Sequence, residues 1–208
     1  MLFRSCPTAA FEPDELVWPR VIRRAFSDPR VPHESTGVEG RGTEEVKTND
    51  VTGRVNVGEV GFTIEFGRPG VGVYFREIQK MCRALAGAGV SFEKKNPVTT
   101  LMTDVKTGAL REDILDEKVM SAILEIKTTI ERTEEIILVV REVEKQLETV
   151  VALGVGTRCD ETGDETVIAP ILEKLGYSLQ RAKTNIGLGR ITNIDPAPKA
   201  GEPVGARR

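Results

Sequence analysis

The chain has 208 residues, enough for one or two domains with a buried core. Apolar residues make up 39% and charged residues 29%, which excludes wholesale disorder, and a net charge of −3 argues against a general nucleic-acid binder. Three cysteines, Cys6, Cys82 and Cys159, are too few and too scattered for a secreted disulfide scaffold, and no apolar run approaches the roughly 20 residues that span a bilayer, so a cytoplasmic protein without membrane or nucleic-acid partners is expected.

In chain order, the first 35 residues are irregular and broken by Pro7, Pro13, Pro19, Pro29 and Pro32, with room for one short helix within Glu15–Phe26. Thr36–Arg54 almost lacks large apolar side chains and carries four glycines, so it reads as a long polar loop. Val55–Phe66 reads as a strand or hairpin, because Val60, Phe62, Ile64 and Phe66 alternate with Gly61, Thr63 and Glu65 in the manner of a half-buried strand. Val71, Tyr74, Phe75, Ile78, Met81, Cys82 and Leu85 then fall on one face of a helix over Val71–Ala86. Val90–Phe92 and Val98–Thr103 are expected to be extended, and Arg111–Lys118 to hold a helical turn. Ala122–Ile130 alternates as a second strand. Thr133 is the expected N-cap of a helix reaching Leu147, with Glu134 and Glu135 favoured at its positive end. Val150–Val155 is a further strand, Pro170 suits the first turn of a helix ending at Gly176, and Tyr177–Leu188 reads as extended.

The order strand, helix, strand, strand, helix, strand predicts an α+β fold of the ferredoxin-like split βαβ type, with an extra C-terminal helix and strand. The term describes topology and carries no implication of an iron–sulfur cluster. Both long helices are expected on one sheet face, with Ile78, Leu85, Ile137 and Val140 meeting in the core.

No complete catalytic set is legible, so the reading leans away from an enzyme. His33 is the only histidine and reads as an ordinary surface residue. Cys82 belongs to an apolar helix face, and Cys159 stands beside Asp160 and Glu161, which oppose thiolate formation. Gly67-Arg68-Pro69-Gly70-Val71-Gly72 joins a strand to a helix. It could cradle an anion on backbone N–H groups or serve as a tight structural turn, and it has neither P-loop nor dinucleotide spacing. If the polar loop lies beside this turn, Arg41, Arg54 and Arg68 would converge with Gly67, Gly70 and Gly72 on a small anionic ligand; the bland alternative is a solvated connector. A hairpin turning near Gly58 would bring the two together.

Cys6-Pro7 resembles the end of a bacterial-type ferredoxin motif, whose fourth cysteine precedes proline. Leu2-Phe3-Arg4-Ser5 reads like a translated sequencing adapter. The stretches TGVEGRGTEEVKTNDVTGR, EFGRPGVG, NPVTTLMTDVKTG, LREDILDEKV and NIGLGR resemble ferredoxin-type iron–sulfur proteins of methanogenic and related anaerobes, over roughly residues 6–191. The resemblance implies a remnant or linker at 1–35 after a missing 4Fe-4S module, an α+β domain at 36–191 and a disordered tail at 192–208. It makes Cys6 the single surviving cluster-ligand candidate, so a cluster is expected in the full-length protein only and none in this chain. The implied function is a partner- or ligand-binding domain of an electron-transfer protein, its partner a redox protein or a small anionic ligand. The alternative is a metabolite-binding regulatory domain without a redox role.

Overall fold

The structure, a computed structural model, describes residues 15–42, 53–158 and 167–177. Cys6, Cys159, the expected strand beyond Tyr177 and the expected tail lie outside these residues. The architecture is α+β. Its main sheet is antiparallel, with strands in the order β3 (Ser91–Phe92), β7 (Ala122–Thr129), β1 (Glu59–Phe66) and β8 (Val151–Thr157). Helix α2 (Phe75–Gly87) connects β1 to β3, and α4 (Thr133–Glu144) connects β7 to β8.

Helix α2 begins at Phe75, so Val71 and Tyr74 lie ahead of it and Val71 is exposed, while the rest of the expected apolar face holds. Phe75, Ile78, Met81, Cys82 and Leu85 are all buried, as are Ile136, Ile137, Val140 and Val143 of α4. The two helices pack on each other and share one core with Val60, Phe62, Ile64, Phe66, Leu124 and Ile126 of β1 and β7. They therefore cover the same face of the sheet. Helix α5 (Ile168–Lys174) lies against α4, with Lys174 paired to Glu134 at 2.7 Å.

Several boundaries differ from expectation for identifiable reasons. No hairpin interrupts 55–66; a single eight-residue strand starts at Glu59, after a turn in which Asn56 and Glu59 bond each other. Val98–Thr103 is not wholly extended. The Asn96 side chain accepts from the N–H groups of Val98 and Thr99, and Pro97 takes the first helical position, so α3 (Pro97–Thr100) forms before β4 (Met102–Asp104). Thr133 is not an N-cap: a 3-10 turn over Ile130–Arg132 leads into α4, and the Thr133 hydroxyl donates to the Ile130 carbonyl at 2.6 Å. β2 (Val73–Tyr74) precedes α2 and pairs with β6 (Lys118–Val119), while β5 (Ala109–Leu110) pairs with β4. A 3-10 turn over Glu112–Ile114 occupies the expected helical turn.

The segment expected to be a linker contributes to this body. Helix α1 (Val21–Ala25) contacts β6, and Ile22 and Phe26 belong to the core cluster. Phe26 stands edge-on to Phe75, with centroids 5.3 Å apart.

Because Leu85 and Ile137 are both fully buried, Leu85→Ala or Ile137→Ala should each cost about 2–5 kcal/mol. Urea unfolding measures this; a loss below about 1 kcal/mol at both sites would contradict a shared, close-packed helix–sheet core.

Candidate functional site

The face of the sheet turned away from the helices is polar and yet buried. The side chains of Thr63 and Glu65 on β1 point to it, with Ile123, Glu125 and Lys127 of β7. Thr63, Glu65, Ile123 and Glu125 are all buried. Thr63 stands opposite Glu125, and Glu65 opposite Ile123, so the two carboxylates are diagonal neighbours on adjacent strands. Ionised carboxylates in such a place require close cations or hydrogen bonds.

Flanking segments supply them. Arg41 donates to Glu65, and Arg68 approaches the same carboxylate at 3.8 Å. Arg54 pairs with Glu125 at 3.2 Å and lies 3.8 Å from Glu93. The Asn96 amide donates to the Ile123 carbonyl at 3.1 Å and to Glu125 at 3.4 Å. Lys127 bonds Glu59 at 2.8 Å and the Arg54 carbonyl at 3.0 Å. Each helix-capping or loop segment near this face is thus tied to it by charge.

His33 belongs to the same lining and is not a surface residue. It is 4% exposed, and its ring meets Phe26 edge-on at 4.4 Å. Its Nε2 finds no hydrogen-bond partner. Gly42 packs so closely here that an added Cβ would lie 2.3 Å from the His33 ring and 2.5 Å from Pro97. Burial pushes the imidazole pKa down, and the Ala25 carbonyl offsets this only in part.

The three arginines singled out in the sequence are therefore divided. Arg41 and Arg68 meet at Glu65, whereas Arg54 serves Glu125. In the glycine turn, the Gly67 N–H donates to Val150, and the Gly67 carbonyl accepts from both Val71 and Gly72. Gly67 has a φ of +81°, and a Cβ there would meet Gly72 at 2.8 Å and the Met120 carbonyl at 2.9 Å. Gly70 points into open space. Gly72 packs against Lys118 and Val119 and accepts from Thr149 at 2.7 Å. The first N–H groups of α2, those of Phe75 and Arg76, donate to the carbonyls of Glu117 and Leu115.

One pocket among the described residues touches this layer, between Arg54, Phe92, Glu93, Glu125 and Lys127. Its volume of about 40 Å³ holds a water or two, whereas metabolite pockets run to roughly 300 Å³ or more. Among the described residues no three metal-ligating side chains gather. Cys82 is sealed in the core, and burial pushes its thiol far above the ordinary range, which suppresses the thiolate. No helix of the described residues is long and apolar enough to cross a membrane.

Glu65, Glu125, Thr63 and Asn96 were not among the candidate site residues of the sequence, and His33 was weighed there only as a surface residue. Glu65 between Ile64 and Phe66, and Glu125 between Leu124 and Ile126, were the available signal: single carboxylates set between large apolar residues. Compared with known proteins, the chain matches no family model, no curated protein and no solved structure.

Two outcomes follow from this geometry. Arg54→Met leaves the carboxylate of Glu125, 1% exposed, without its guanidinium and should cost about 3–5 kcal/mol, while Arg54→Met with Glu125→Met should regain much of it. With Glu125→Met measured alone as well, a double-variant loss equal to the sum of the two single losses in denaturant unfolding would show no coupling between the pair.

The second concerns pH. The folded pKa of His33 lies below its ordinary value of 6.5, so unfolded chains take up the proton first as pH falls. Stability is then fully present above 6.5 and is lost as pH falls from there through the lowered folded value. Since His33 is the only histidine, His33→Gln should flatten the unfolding midpoint between about pH 7 and 5.5. An unchanged slope would assign the loss to other groups.

Proposed function

We propose that this chain is the partner-binding C-terminal domain of a ferredoxin-type iron–sulfur protein, with the ferredoxin-like split βαβ arrangement as its scaffold. The strand order and the pair of helices on one face support the scaffold reading. The sequence phrases and the Cys6-Pro7 pair support the iron–sulfur reading.

One structural observation carries the binding role. Leu16, Val17, Trp18 and Val21 are 36%, 70%, 43% and 40% exposed, four large apolar side chains within six positions. Apolar surface gathered in this way marks interaction sites. It is also firmly mounted. Trp18 Nε1 donates to Asp113 at 2.6 Å, and the Arg111 guanidinium stacks 4.5 Å over the indole. Hydrogen bonds from Arg111 and then Trp18 hold the Asp113 carboxyl down to about 2, so this anchor stays charged across the physiological range. Arg23 pairs with Glu117, and Ser27 Oγ accepts from the Met120 N–H at 3.2 Å.

The thiols of this chain do not fit a four-thiolate cluster by themselves. Cys82 is buried among helix and sheet side chains, with its thiolate suppressed. In this reading the remaining ligands belong to a module joined ahead of Cys6, and that module rests on the Leu16–Val21 surface.

Trp18 is the only tryptophan, so its emission reports on that surface. The chain is extended upstream along its genomic reading frame and reconstituted anaerobically with iron and sulfide. We expect stoichiometric iron that is lost in Cys6→Ser, together with quenching of Trp18 fluorescence as the cluster forms. Absence of bound iron sinks the iron–sulfur reading. Iron bound without any change at Trp18 sinks the docking surface.

A further inference from the structure

The two edges of the main sheet are unlike each other. Strand β3 is two residues long and is followed by Lys94, Lys95 and Pro97, the usual protections of an edge. Strand β8 is seven residues long and has neither charge, proline nor bulge from Val151 to Thr157. Among the described residues it pairs only with β1.

The hydrogen-bond phase of β8 can be fixed from two bonds. Gly67 N–H donates to the Val150 carbonyl, and Ile130 N–H donates to the Gly58 carbonyl. In antiparallel pairs bonded and unbonded positions alternate. Residues 61, 63 and 65 of β1 therefore bond β8 through Gly156, Gly154 and Ala152. Val151, Leu153, Val155 and Thr157 turn their N–H and carbonyl groups outward to the open edge.

We propose that two copies of this chain pair through β8, antiparallel, about a two-fold axis at Gly154. In that register Val151 bonds Thr157 of the second copy, and Leu153 bonds Val155 of the second copy. Every outward backbone group from 151 to 157 then has an outward-facing partner. At the axis the two Gly154 residues form a non-bonded pair, the kind with Cα atoms only about 4.5 Å apart, and neither has a side chain to obstruct the approach. Ala152 faces Gly156 of the second copy. Arg158, which follows the strand, donates to the Val55 carbonyl at 2.7 Å within its own copy, so the pairing is carried by the backbone. On one face the edge presents only Ala152, Gly154 and Gly156, which offers a foreign partner little to recognise, whereas its outward backbone is complementary to itself. The contact is isologous and closes at two copies.

The test uses the whole chain. Sedimentation equilibrium up to about 100 µM should give twice 22.8 kDa, a concentration that populates micromolar dimers. Amide exchange at Leu153 and Val155 should slow as concentration rises. Gly154→Lys sets two ammonium groups across the axis and should weaken dimerisation at least about tenfold, with the thermal unfolding midpoint confirming that the variant folds. Should that variant fail to fold, the concentration-dependent exchange decides alone. A monomer at the highest concentration overturns the proposal. So does a dimer whose Leu153 and Val155 amides exchange at the same rate at all concentrations. If those amides are protected in a monomer and lose protection when the chain is ended at Tyr177, its own C-terminal segment covers the edge, and the proposal is likewise overturned.

Discussion

The rest of the fold depends on two carboxylates placed where a sheet ordinarily keeps apolar side chains. Glu65 and Glu125 project from the two central strands into a buried layer. Neither can remain ionised there without cations at contact distance. Those cations come from Arg41 and Arg54, the described flanks of the polar loop. The loop therefore has a structural reason for its arginines, and its ends are fixed by electrostatics. Asn96 extends the same logic: it bonds Glu125 with its amide nitrogen and caps α3 with its amide oxygen. One side chain thereby sets both the start of a helix and the partner of a buried charge.

A second, apolar constraint meets this layer at the N-terminal side. Phe26 lies between His33 and Phe75, edge-on to both. Phe75 opens α2, and its N–H is bonded to Glu117, whose carboxylate holds Arg23 of α1. The segment from Trp18 to His33 thus joins the helix side of the sheet to its charged side. Gly42 completes the closure, since no other residue fits against His33 and Pro97 there. Loss of packing at Phe26 or His33 would be felt on both faces.

Much of the fold was legible because its period was clean. The alternation of Val60, Phe62, Ile64 and Phe66 placed β1, and the spacing of Ile78, Met81, Cys82 and Leu85 placed α2. The second face was read less well. Polar residues in alternation suggest solvent, yet Glu65 and Glu125 are buried because arginines distant in sequence reach them, and Thr63 is buried beside them. Pairing over 24 and 71 positions leaves no local signature. His33 was misjudged for a similar reason. Its proline and glycine neighbours indicate a loop, but the loop is pressed onto Phe26. The glycine turn was located correctly, while the donors that would make it an anion cradle are visible only in three dimensions. They are taken by Val150, Glu117 and Leu115.

These commitments restrict where chemistry can occur. Glu65 and Glu125 are held in ion pairs within the polar layer. The thiol of Cys82 is sealed among α2 neighbours, and the pocket beside Arg54 admits water and little else. What remains accessible is of another kind: exposed apolar side chains from Leu16 to Val21, and the outward backbone of β8. The first is mounted on Asp113 and Glu117, near β6; the second lies at the far edge of the main sheet, beyond β1. The two proposed contacts lie on different elements and use different residues.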